Sequence, residues 1–254
     1  QPEWGAHLAD ELENIVTLHD AENIAAVIIE PVAGSAGVLV PPKGYLEKIR
    51  AICTKHDILL IFDEVITGWG RLGKATASEY FNIQPDILTS AKAINNAAVP
   101  MGATFVRKGI YDAFMQGGEY AAEFMHGYTY SGHPLACAAA LATQQVYQEE
   151  KLFDRAAKLE KTWSDALHSL KGAPHVIDVR TIGLMGGVEL HAGTRNSPAE
   201  MARGMEAFER LFFEQDMVIR FTGNTLAMSP PLIIDDGQIN EIVSKIRKVL
   251  EVIK

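Results

Sequence analysis

The sequence has little cysteine and no surplus of basic charge, and each shortage excludes a class of protein. Two cysteines, Cys53 and Cys137, stand far apart in 254 residues. They fit no disulfide scaffold and no metal or redox spacing, so a reducing compartment, the cytoplasm, is expected. Lysine and arginine number 23 against 32 aspartates and glutamates, a net charge of −9. A protein that grips a phosphate backbone needs a basic face, so no nucleic-acid partner is expected. No apolar run reaches the roughly 20 residues of a membrane span, and no signal-peptide pattern opens the chain, which starts at Gln1. What is present is an ordinary globular composition, 48% hydrophobic and 22% charged. The chain length suffices for one large domain or two modest ones.

The first half alternates apolar runs with helical patterns. Ala25–Pro31, Ile58–Glu64, Asp86–Lys92 and Pro100–Val106 read as strands, and Tyr45–His56 as a helix with Leu46, Ile49, Ile52 and Cys53 on one face. Strand, helix, strand at this spacing predicts an α/β unit with a mostly parallel sheet. After residue 134 the texture changes. Helices are expected over Pro134–Gln148, Leu152–Leu170 and Pro198–Glu214, with two strands within Val176–Leu190 and short strands in MVIRF and TLAMSPP. A last helix starts near Asp235 or Asp236, either of which suits an N-cap. This part reads as a separate α+β domain beginning near Tyr147.

Ligands of open parallel sheets bind beyond the carboxyl ends of the strands. The strand ILLIFDE ends there in Asp63 and Glu64. A nucleotide-hydrolysing site would also need a phosphate loop, and the nearest match, GWGRLGK, is succeeded by Ala75 instead of a hydroxyl residue. The same stretch fits Gly-x-Gly-x-x-Gly, but it does not come directly after the strand, so a glycine-rich loop across the mouth of the sheet is the better reading. Lys92 ends another strand among Ala91, Ala93 and Ile94. Burial there would lower an amine from about 10.4 toward about 7 to 8 and make it a nucleophile toward carbonyls. A lysine paired with an aspartate suits pyridoxal 5'-phosphate: the lysine forms a Schiff base and the aspartate keeps the ring nitrogen protonated. At about 4 Å and an effective dielectric of about 20, that charge pair is worth roughly 4 kcal/mol before desolvation.

Four ordered blocks, EPVAGSAGVLVPPKGYL, LLIFDEVITGWGRLGK, SAKAINNAAVPMGA and HGYTYSGHPLAC, carry a resemblance to the class III aminotransferases of pyridoxal-phosphate fold type I. The nearest branch is that of the ω-amino acid–pyruvate (β-alanine–pyruvate) enzymes, and the likeness runs from about Ala6 to the C-terminus. The resemblance implies a partial large domain over residues 1–146, with a mostly parallel sheet, and a small α+β domain over residues 147–254. It further implies Lys92 as the catalytic lysine, Asp63 on the pyridine nitrogen and Val65 stacked on the ring. Ile66 and Tyr128 join the cofactor-binding set. Thr129 reaches the phosphate of a neighbouring subunit's cofactor, so a homodimer or higher assembly with shared sites is expected. Arg220 grips the substrate carboxylate and swings aside for an amine lacking one; a planar guanidinium suits that bidentate task.

The departures are informative. Ile66 stands where some members carry a glutamine that touches the ring hydroxyl. Ser35 stands where ornithine- and 4-aminobutyrate-specific relatives carry a glutamate paired with the arginine, which points to the pyruvate-using branch. Ala93 and Ala97 replace glycines usual in the lysine block. Glu30 and Ser35 are candidate site-lining residues, whereas His126 and His133 read as loop and helix-start hydrogen-bonding groups. Family members are much longer, so the chain is expected to be the C-terminal part of such an enzyme; a separate chain is one place for the N-terminal part. The expected activity is transfer of an amino group from an ω-amino acid or amine to a keto acid, pyruvate, without a metal. The alternatives are a non-catalytic fragment or assembly partner, or another pyridoxal-phosphate enzyme such as an aminomutase.

Overall fold

The computed structural model describes residues 1–120, 124–192 and 202–253. A 3-10 turn at Ala6–Asp10 leads into α1 (Glu11–His19), whose Leu12 and Val16 lie four apart on one face and are buried. They join the core formed by Leu46, Ile49, Ile52 and Cys53 of α2 (Tyr45–Lys55). Four strands make the first sheet: β1 (Ala26–Ile29), β2 (Leu59–Asp63), β3 (Ile87–Ser90) and β4 (Ala103–Val106), in that spatial order. β1, β2 and β3 run parallel, while β4 is antiparallel to β3. The expected strands therefore form, each shorter than its apolar run, β4 only at its start. The apolar run of β1 suggests a buried strand, yet Ile28 is 63% exposed: it points to the opposite face from Val27 and Ile29, and that face is left uncovered among the described residues. The chain between β2 and β3 holds only a five-residue helix, α3 (Ala77–Phe81), capped by Thr76, whose hydroxyl accepts the Glu79 N–H. α4 (Lys108–Phe114) comes after β4. The sequence patterns signal neither α1 nor α4.

The remainder builds a second sheet, fully antiparallel. α5 (Pro134–Glu149) and α6 (Leu152–His168) precede β5 (Val176–Ile182) and β6 (Met185–Leu190). Then come α7 (Ala202–Gln215), β7 (Arg220–Thr222), β8 (Thr225–Met228) and α8 (Asp236–Leu250). The strand order is β5-β6-β8-β7. The first residues of the helix expected from Pro198 lie outside the described residues. α8 begins as expected: the Asp235 carboxylate accepts the Gln238 N–H, and the Gln238 side chain answers to the Asp235 N–H, a capping box. Its Ile239, Val243, Ile246 and Leu250 fill one core with Trp163 and Leu167 of α6 and Val188 of β6. Burying each such side chain contributes about 1.5–3 kcal/mol before entropy is counted. A Cβ at Gly186 would fall 2.2 Å from Leu167 Cδ1, so the buried Leu167 side chain would have to shift to admit one. A third apolar cluster, with Val32, Val38 and Leu72 on one side and Ile182, Met185 and Ala227 on the other, joins the two sheets' cores.

Candidate functional site

β2 and β3 end together, Asp63 opposite Thr89, so the loops leaving the two strands emerge at the same edge of the sheet. After β3 the backbone turns sharply. Lys92 has φ 47°, in the left-handed region that a long L side chain seldom adopts, and opens the 3-10 turn Lys92–Ile94. Such strain persists where surrounding structure holds it. α5 supplies the hold: Tyr147 Oη donates to the Ala93 carbonyl at 2.7 Å, and Gln144 Nε2 donates to the Ile94 carbonyl at 3.0 Å. Asn95, itself buried, closes the loop through Nδ2 to the Val99 carbonyl at 2.6 Å.

Lys92 lines a cavity of about 760 Å³ between the two sheets. Ser35, Val65, Ile66 and Arg220 line the same cavity. Asp63 is not on its wall but is tied to it, its Oδ1 accepting the N–H of the lining residue Val65 at 3.0 Å. The structure thus brings together five of the expected site residues, with a sixth supporting them. Arg220 opens β7 and is exposed, and it forms no ion pair with a described residue. Lys92 is also exposed, its amine free of any partner among the described residues. The dry amine expected from sequence is not formed by this chain's own surface, because the cavity is open on that side. Tyr128 and Thr129 are not part of this cavity. Both are exposed, and Tyr128 lines a different depression with Pro100, Met101 and Tyr130. Glu30 is occupied structurally, its Oε2 accepting the Gly34 N–H at 3.0 Å. His133 caps α5 by accepting the Leu135 N–H on Nδ1, while His126 sits in the exposed segment before it.

Trp69, Arg71 and Tyr147 also line the cavity, though the sequence assigns them no site role. Trp69 Nε1 donates to Ser90 Oγ at 2.5 Å, tying the glycine-rich loop to the end of β3. Arg71 donates to the Leu184 and Pro230 carbonyls, at 3.2 and 2.5 Å. Burial pulls the pKa of its guanidinium down to about 10, so the group is still cationic at neutral pH. The loop's glycines serve packing: Gly70 and Gly73 have φ 89° and 74°, and a Cβ at Gly73 would fall 2.7–2.9 Å from Ala157 of α6. The positive φ and the close approach together explain glycine at that point. Glu64, the other carboxylate of the strand end, is fully buried and accepts the Ser78 and Ala77 N–H groups at the start of α3 and the Thr67 hydroxyl. Burial raises its pKa above the ordinary carboxylate range. Its role is to anchor α3.

Comparisons with known proteins agree with this geometry. Residues 1–250 match the family model described as aminotransferase class-III. An omega-aminotransferase of Caulobacter vibrioides is 59% identical over 250 residues, covering 98% of this chain and 56% of that protein. A beta-alanine–pyruvate aminotransferase of Pseudomonas aeruginosa is 49% identical over 228 residues, covering 89% of this chain and 50% of that protein. The chain therefore spans about half the length of these relatives. A solved structure described as a transaminase with L-Ala superposes with a TM-score of 0.91 at 38% identity, covering 96% of this chain and 58% of the other. An (S)-enantioselective omega-transaminase from Thermomicrobium roseum superposes with a TM-score of 0.89 at 37% identity, covering 97% and 55%. The fold is that of the fold type I transaminases, and the chain belongs to the class III aminotransferase family.

Proposed function

We propose that the protein carrying this chain is an aminotransferase that moves an amino group from an ω-amino acid such as β-alanine, or from an amine, to pyruvate, using pyridoxal 5'-phosphate. One observation carries the reading: the Lys92 amine and the Arg220 guanidinium, neither with a partner among the described residues, line one cavity together with Val65, whose N–H is held by the Asp63 carboxylate. The donor set fits the cofactor, since it offers an amine for an aldehyde, an apolar floor for a ring and a carboxylate for a ring nitrogen. When bound, the cofactor supplies an electron sink for the pair left on the substrate carbon. Lys92 Nζ, held by the strained turn, would take the proton from that carbon and return one in the reverse half-reaction. Arg220 would orient the donor by its carboxylate, and Ser35 leaves that guanidinium without a competing internal carboxylate. The strands and loops that would close the open side of the cavity are proposed to come from the rest of the protein and from a second copy.

A shared assembly is supported by the exposed apolar segment carrying Tyr120, Phe124, Met125 and Tyr128, which are 95%, 60%, 89% and 82% exposed. In such an assembly Thr129 would act in the neighbour's site, which accounts for its place outside this cavity. The division into domains at residues 1–146 and 147–254 is supported by the second core, whose first member is Tyr147, although α5 runs through the boundary. Cytoplasmic residence is supported by the free Cys53 and Cys137. Among the described residues no helix is long and apolar enough to cross a membrane.

The test is amino transfer by the full-length protein and its Arg220→Ala variant. The variant should lose about a hundredfold in kcat/KM toward β-alanine, the worth of a charge-assisted bidentate contact, and less than about threefold toward 1-phenylethylamine. Equal loss for both donors would remove Arg220 from the reading.

A further inference from the structure

Val38 is strained in a way that its neighbours in sequence do not explain. It is a buried, β-branched residue at φ 57°, directly after Gly37 at φ 115°. A β-branched residue in the left-handed region is an outlier, and it persists only where something holds it. Arg180 of β5 does so. Its Nε donates to both the Gly37 and Val38 carbonyls, at 2.8 and 3.1 Å, and its Nη2 donates to Thr225 Oγ1 at 3.3 Å. Nη1 is fixed in turn by Asp178 at 2.7 Å and Glu189 at 2.6 Å. The approach is tight, for a Cβ at Gly37 would fall 3.2 Å from Nη2, and one at Gly187 would fall 3.0 Å from the Gly37 carbonyl.

The loop so held forms one wall of the cavity, through Gly34, Ser35 and Val38. Its Ser35 carbonyl accepts the Thr222 hydroxyl at 3.0 Å. Thr222 and Arg220 are two residues apart on β7 and so share a face of that strand. The wall and the guanidinium are thereby set in one frame. We propose that Arg180 is a positioning residue for donor selection: it latches the Ser35–Val38 wall against the second sheet, where Thr222 ties it to β7, so that Arg220 meets a donor carboxylate beside a fixed surface. This rests on the function proposed above. With the latch released, the wall moves from β7 and water screens the Arg220–carboxylate contact. A donor without a carboxylate draws nothing from that contact and is spared.

Arg180→Lys in the full-length protein is the primary variant. It keeps a cation for Asp178 and Glu189, which preserves folding, but an ammonium engaged there lacks the separate Nε–H that donates to both the Gly37 and Val38 carbonyls. Thr222→Val is the second variant, removing only the hydroxyl that ties Ser35. Arg180→Lys should raise KM for β-alanine about tenfold with kcat within about twofold, as expected for a charge-assisted hydrogen bond, and leave KM for 1-phenylethylamine within about twofold. Thr222→Val should act in the same direction and less. Hydrogen exchange at residues 33–39 should quicken in Arg180→Lys, because the Gly37 and Val38 amides, both bonded to the Gly34 carbonyl, lose their frame. Unchanged exchange, or an equal KM change for both donors, with normal activity in the unaltered protein, would overturn the latch alone. No amino transfer by the unaltered protein would instead overturn the function on which it rests.

Discussion

Asp86 is the knot from which the strand leading to Lys92 departs, and removing it should cost far more than a surface change. The residue is 5% exposed. Its Oδ2 accepts the Leu60 N–H and an Arg50 N–H, both at 2.8 Å, and its Oδ1 meets Arg107 at 2.6 Å. Its own backbone completes the tie, since the Asp86 N–H donates to the Leu60 carbonyl and the Asp86 carbonyl accepts the Arg107 N–H. Asp86→Ala strands the buried Leu60 N–H, which costs about 1–3 kcal/mol, and leaves Arg50 without its carboxylate. Arg107, with a side chain 58% exposed, adds little. The sum is about 3 kcal/mol, while Asp86→Asn, which keeps an acceptor for Leu60, should cost about 1–2 kcal/mol. Urea unfolding of the full-length protein measures both, as midpoint shifts at constant slope. The pH dependence gives a second check. Burial alone would raise the Asp86 pKa, but the Leu60 N–H and the two arginines outweigh it and hold it below the ordinary carboxylate range. Its contribution is therefore complete above an unfolded pKa of about 3.9 and is lost as pH falls through the lower folded value; Asp86→Asn should flatten that loss. If both substitutions changed stability by less than about 0.5 kcal/mol, the value expected at a plain surface site, the reasoning would fail.

Strain and burial set two more outcomes. Ala97 sits at φ 57° and is exposed, so Ala97→Gly removes a left-handed penalty of about 1–2 kcal/mol, against an unfolded-chain entropy gain of about 0.4–1 kcal/mol. The variant should be more stable by about 1 kcal/mol in the same urea assay, and a loss of stability would show that the added methyl supports the loop. Glu64 has the opposite linkage to Asp86: burial raises its folded pKa, so its neutral form favours the fold and that contribution fades as pH rises from about 4.5 through the raised value. Glu64→Gln should flatten this segment of the stability curve, which thermal unfolding between pH 4 and pH 8 would track.

Much of this architecture could be read from residue order. β2 and β3 are legible because each is a short aliphatic run stopped by polar residues, and α8 because its apolar stripe starts at a capping box. The meeting of Lys92, Val65 and Arg220 comes from the family likeness and not from spacing. Other features depend on partners far along the chain. The Arg180 grip on Gly37 spans 143 residues and leaves no local trace. The direction of β4 is illegible because an apolar run looks the same in either sense. α4 carries no buried residue and so no apolar stripe. Lys92 is exposed where a buried amine is expected, because desolvation depends on what covers the cavity, and no local pattern records that.

The central claim is that the amine of Lys92 carries the cofactor. Sodium borohydride reduction of the full-length protein saturated with pyridoxal 5'-phosphate, then digestion and mass mapping, tests it directly. The pyridoxyl mass should fall on the peptide containing Lys92, with bleaching of the visible absorbance. A label confined to another lysine, or a saturated protein left unlabelled, would contradict it.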